Sequence, residues 1–174
     1  MNHELDRLAR EIGLEDPENE RLRLLFGHAC VSRAVHLLES DAVRDGLAVL
    51  GEYLEGRVDR ETLELAAGLV QRLARQHPGS KSLDGCGHAA VSASYAVAKA
   101  LAGKALQAAE YAAYAVVYGQ GGYGAVADLA SFEPEFAWQV ERLRSLAVGT
   151  TAATAAGCLP GPGSVAEMDG QSKD

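Results

Sequence analysis

From Gly87 to Tyr118, 13 of 32 residues are alanine. This run constrains the fold more than any other feature of the chain. Alanine has the highest helix propensity but offers little apolar area. A helix built from it is useful chiefly because a neighbouring backbone can approach closely. Gly103 divides the run into one segment from about Ser82 or Asp84 to Ala102 and another from about Lys104 to Tyr118. The pattern predicts a central helical hairpin on which the remaining segments pack.

Those segments carry helical periods too. A short first helix is predicted over about Glu4 to Ile12, with Gly13 as its C-terminal cap. Asp16-Pro17 opens a second that runs to about Glu39, since Asp caps well and Pro is tolerated at the first position. Leu22, Phe26, Ala29, Cys30, Ala34 and Leu37 cover one face of it, and Arg21, His28, Ser32 and His36 another. Ser40 or Asp41 caps a third helix bearing Val43, Leu47, Leu50 and Leu54, and Gly56 ends it. Asp59 begins a fourth with Leu63, Ala66, Ala67, Val70, Leu73 and Ala74 on one side. His77-Pro78-Gly79 stops it, because proline disfavours helix in the residue before it.

Gly119 to Gly124 reads as a flexible connector to a seventh helix, broken near Phe132 and restarted at Glu133-Pro134. Phe136, Val140, Leu143 and Leu146 form the apolar stripe that follows. No run of alternating β-branched residues predicts a strand. The expected fold is all-α, a multi-helix bundle or short helical-hairpin solenoid of about six to seven helices. Residues 1–149 form its single domain. The Gly, Pro, Ser and Thr content of residues 150–174 predicts a disordered tail.

With 24 acidic and 16 basic residues the net charge is -8. Nucleic acid and anionic membranes need a basic footprint, so neither is expected as a partner. Cys30, Cys86 and Cys158 are an odd set without repeated spacing, which is no disulfide framework. The N-terminus is charged from the start, and the longest low-charge stretch still holds His88 and Lys99. These features together predict a cytoplasmic protein.

Candidate chemistry is sparse. His28-Ala-Cys30 and Cys86-Gly-His88 carry zinc-type ligands. Residues two apart on a helix point about 200° apart, so the first pair cannot chelate together. Cys86 near a helix start is a thiol that the helix dipole would activate, with His88 beside it and Asp84 as the local acid. The Gly119–Gly124 cluster lacks the Lys and Ser/Thr pair of a phosphate loop. No catalytic residue, metal or cofactor is expected from these signals. Arg33 projects into an apolar helix face, where it pairs with a carboxylate or reaches to the edge.

Gln107, Tyr111, Tyr114 and Tyr118 follow at spacings of four, three and four, and share one face of the sixth helix. Tyrosine combines apolar area with a hydrogen-bonding tip, which suits both helix packing and interfaces. The expected division is Tyr111 as core, with Gln107, Tyr114 and Tyr118 as the partner-binding set. Tyr118, beside the glycine segment, is the strongest candidate.

Residues from about Leu24 to Val117 resemble immunity proteins attached to bacterial polymorphic toxin systems. The resemblance lies in LLFGHACVSRAVHLLE, LAVLGEYLEGRVDRETLELAAG, GCGHAAVSASYAVAKAL and AEYAAYAV, in that order. Where that family shows Thr-Ala-His after a small-residue run, this chain has Ser92-Ala93-Ser94, so no role of that histidine carries over. The resemblance implies a non-catalytic helical protein that neutralises a protein toxin by occlusion. Two other readings stand beside it. One is a structural or homo-oligomerising module, and the other a metal- or thiol-dependent enzyme using Cys86 and His88.

Overall fold

The computed structural model describes residues 2–79 and 81–156, with side chains up to residue 149. These residues form an all-α multi-helix bundle. Its helices are α1 (His3–Glu11), α2 (Glu20–Ser32), α3 (Asp41–Leu54), α4 (Arg60–Arg75), α5 (His88–Leu101), α6 (Ala105–Ala127) and α7 (Glu133–Ala156). Short 3₁₀ turns lie at Pro17–Asn19, Val35–Leu37 and Leu129–Phe132. Among the described residues there is no strand, and no helix is long and apolar enough to cross a membrane.

The centre is the α5–α6 hairpin. Gly103 adopts φ +68°, and the Lys104 amide donates back to the Lys99 carbonyl at 2.9 Å. This left-handed turn, which only glycine adopts without strain, reverses the chain in two residues. Ala96, Ala100, Ala105, Ala108, Ala109 and Ala112 are buried to within 1% of their surface. Their methyl groups set how closely the two helices and α2 approach. Gly27 on α2 continues the pattern, since a Cβ there would lie 3.3 Å from the Ala100 methyl.

The α3–α4 hairpin packs against α5, burying Val43, Leu47, Leu50 and Leu54 from one arm and Leu63, Val70 and Ala74 from the other. Ser40 and Asp59 cap its two helices, accepting from the Val43 and Thr62 amides. Helix α7 lies against α2 and α1 and buries Val140 and Leu143.

Several boundaries differ from the sequence reading, the first being the start of the second helix, which lies at Glu20 after a separate 3₁₀ turn at Pro17–Asn19. The second helix ends at Ser32 rather than Glu39: the Ser32 hydroxyl donates to the His28 carbonyl at 2.8 Å, and a separate turn carries Val35–Leu37. The fifth begins at His88, because Gly85 is left-handed (φ +83°) and the Asp84 carboxylate and Ser82 hydroxyl hold the Cys86 and Gly87 amides in a tight loop. The seventh runs past Gly149 to Ala156, where the alanines of TTAATAA favour helix. The remainder of the expected tail, residues 157–174, lies outside the described residues.

Candidate functional site

The glycine segment expected to be a flexible connector is instead part of α6, kinked at Gly121 and Gly122. Gly122 takes φ +58° and ψ -141°, a conformation essentially reserved for glycine. A Cβ there would sit 2.0 Å from the Asp84 carbonyl oxygen, which accepts the Tyr123 amide at 2.7 Å. The kink therefore docks onto the loop before α5 and lays the Tyr123 ring on Gly85.

This docking assembles aromatic side chains at the open end of the hairpin. Tyr123 lies 5.4 Å from His88 between ring centroids, with Oη 2.7 Å from His88 Nε2 in hydrogen-bond contact. His88 lies 5.4 Å from Tyr118, and Tyr118 6.2 Å from Tyr114. Tyr114 meets Phe132 edge-on at 5.1 Å, and Phe132 meets Phe136 at 5.4 Å. Edge-on and tilted contacts at these distances are favourable beyond the area they bury. Six rings thus form one continuous array drawn from α5, both arms of α6, the turn before α7, and α7 itself. Phe132 is buried, the others are half-buried or exposed, and Tyr123 keeps 50% of its surface.

Of the residues singled out on the sixth helix, Tyr114 and Tyr118 come together in this array. Tyr111 turns to the other side and stacks on Tyr95 at 5.4 Å and 21°, packed against the main core. Gln107 is exposed and lies nearer the start of α6, on the lip of a groove of about 280 Å³ between α1, α6 and α7. Leu5, Leu106 and Phe136 form its apolar walls, and Asp6 and Glu110 face it. Phe136 is common to the groove and the ring array. Sequence reading missed Phe132, Phe136, Tyr123 and His88 as members. Their positions depend on the Gly122 kink and on the packing of α7, and neither has a periodic signature.

The thiol reading meets the opposite electrostatics. Burial and then the adjacent Asp84 carboxylate hold the Cys86 thiol above its ordinary value, where a nucleophile needs it lowered. Hydrogen bonds from the Cys86 amide and Ser82 keep Asp84 itself well ionised. Cys30 is fully buried, and desolvation raises its thiol strongly. His28 is half-buried against Gly51, and desolvation lowers its affinity for a proton. Among the described residues no three His, Cys, Asp or Glu side chains converge where one metal ion could sit.

Arg33 pairs across helices, one of the two fates its position allowed. Its Nε donates to both carboxylate oxygens of Glu135 at 2.8 and 3.0 Å, and its guanidinium lies 4.3 Å above the Trp138 ring. Glu135 is only 3% exposed, and burial lifts its carboxyl above the ordinary range against the opposing pull of Arg33. This pair joins the end of α2 to α7 and belongs to the framework.

Fold and site together define a helical bundle whose small-residue interior ends in a surface array of aromatic rings. Comparison of the chain with protein-family models, curated proteins and solved structures gives no match.

Proposed function

We propose that this chain is a non-catalytic cytoplasmic binding protein that occludes a protein partner. The partner contacts the aromatic array at the end of the α5–α6 hairpin. The observation that carries this reading is the ring array itself, with Tyr118, Tyr114, Tyr123 and His88 left partly open beside hydroxyl and imidazole groups. Rigid amphipathic rings of this kind dominate binding energy at protein interfaces, because they bury large area with few rotatable bonds. The surplus of carboxylates favours a basic partner and speeds encounter with it. Neutralisation of a bacterial toxin, which the resemblance over Leu24 to Val117 implies, is the particular form of this function we favour. Nucleic acid and membrane are not its partners.

The test is co-expression with the product of the adjacent gene. The expected result is a stable stoichiometric complex that suppresses that product's activity. Tyr118→Ala should weaken the complex at least tenfold, or about 1.4 kcal/mol. A fully functional complex with Tyr118→Ala and Tyr114→Ala combined would refute the assignment of this surface.

A further inference from the structure

The groove between α1, α6 and α7 has a chemistry distinct from the ring array it adjoins. Leu5, Leu106 and Phe136 give it apolar walls, while Asp6 and Glu110, both half-buried, supply two carboxylates. Among the described residues no hydrogen bond or ion pair holds either carboxylate, and no Lys or Arg lines the groove. Arg10, one turn along α1, donates to the Asp6 carbonyl oxygen at 3.1 Å and stays outside. The floor is fixed. Gln139 is fully buried, donates to the Ala109 carbonyl at 2.9 Å and accepts from the Asn2 amide at 3.4 Å. Asn2 also donates to the Phe136 carbonyl at 3.0 Å.

An apolar trench of about 280 Å³ that places two uncompensated carboxylates against its walls matches one kind of side chain: an aliphatic stem with a cationic tip. We infer that this groove receives a lysine or arginine side chain of the protein partner. The methylenes would lie along Leu106 and Phe136, with the cation between Asp6 and Glu110. This deepens the binding function proposed above and rests on it for the identity of the occupant. Charge complementarity selects that occupant, because an anion or an apolar side chain would leave the half-buried carboxylates without compensation. Phe136, shared with the ring array, makes the groove continuous with that contact surface.

The test needs no partner. Uniformly ¹⁵N-labelled full chain is titrated by NMR with acetyl-arginine methylamide and acetyl-lysine methylamide. Acetyl-leucine methylamide and putrescine serve as controls. The expected result is saturable shifts of the Gln107, Glu110 and Phe136 amides with either cationic amide. These shifts should weaken at raised salt and at least fivefold in Asp6→Asn/Glu110→Gln. Gln107→Lys changes an exposed residue on the lip, and should abolish the shifts by supplying a competing cation while preserving the remaining spectrum. Tyr118→Ala should leave them unchanged, which separates failure of the groove from failure of the aromatic surface. Non-saturating shifts spread over the acidic surface, or equal binding of the leucine amide, would overturn the inference. Tighter binding of putrescine than of both amino-acid amides would overturn it too, by making the occupant a free amine.

Discussion

The two sides of α6 carry residues of opposite kinds. On the inner side Ala108, Ala112 and Ala115 have no exposed surface, and their small size lets the backbones of α2, α5 and α6 come together. On the outer side Gln107 is exposed and Tyr114 and Tyr118 stay half-buried. The contrast shows how an alanine-rich helix divides its work. Along this seam the helices are held by close approach of small residues, and Phe26 of α2 is the one ring buried completely in the core among the described residues. The outer rings gather where the hairpin opens and its kinked end folds back over the loop at Asp84. The inner side is a packing surface, and the outer end is a surface with unspent contact area.

The largest expected effect lies within the framework. Arg33→Ala leaves the Glu135 carboxylate buried without its cation and should cost about 3 kcal/mol near neutral pH. A carboxyl raised by burial favours the folded state when it is protonated. Its contribution is therefore present in acid and is lost as pH rises through the raised value. Removing Arg33 raises that value further, so the deficit should shrink on going from pH about 7 to pH about 4. Urea unfolding at the two pH values measures this. A deficit independent of pH would show that the pair is solvated rather than buried.

The inner side is probed next. Ala112→Leu forces four heavy atoms' worth of side chain, in place of a methyl group, into a fully packed seam and should destabilise by about 2.5 kcal/mol. Thermal melting checks it, and tolerance of leucine would mean that the seam is loose. Gly122→Ala should cost about 2 kcal/mol, since the residue is left-handed and its Cβ meets the Asp84 carbonyl. Its signature is local, and loss of the nuclear Overhauser contacts between His88 and Tyr123 should accompany the lower melting temperature. Retention of those contacts would detach the ring array from the kink.

Much of the fold was legible. The alanine run located the hairpin, Gly103 marked its turn, and Asp59 and the Ser40-Asp41 pair marked their helix starts, because each of these signals is local in sequence. The site was legible only in part. The four-three-four spacing found Tyr114 and Tyr118 on one helix. It also grouped Gln107 and Tyr111 with them, which the structure sends to a groove and to Tyr95. Periodicity specifies a face of an isolated helix and carries nothing about which neighbours meet that face. The glycine segment was misread for a related reason. Glycine permits both a loose linker and a tight backbone contact, and only the Asp84 carbonyl on the far side decides between them.

The smallest expected change in stability bears most directly on the central claim that the aromatic end is a contact surface. Tyr118→Ala and Ala112→Leu should be compared for melting and for affinity toward the co-expressed partner. The prediction is that Tyr118→Ala costs about 1.5 kcal/mol of stability, less than Ala112→Leu because the ring stays partly open, yet weakens the partner complex at least tenfold. Ala112→Leu should lower melting while the fraction still folded binds normally. If Tyr118→Ala instead melts as low as Ala112→Leu and binds the partner with unchanged affinity, the rings are core and the claim is contradicted.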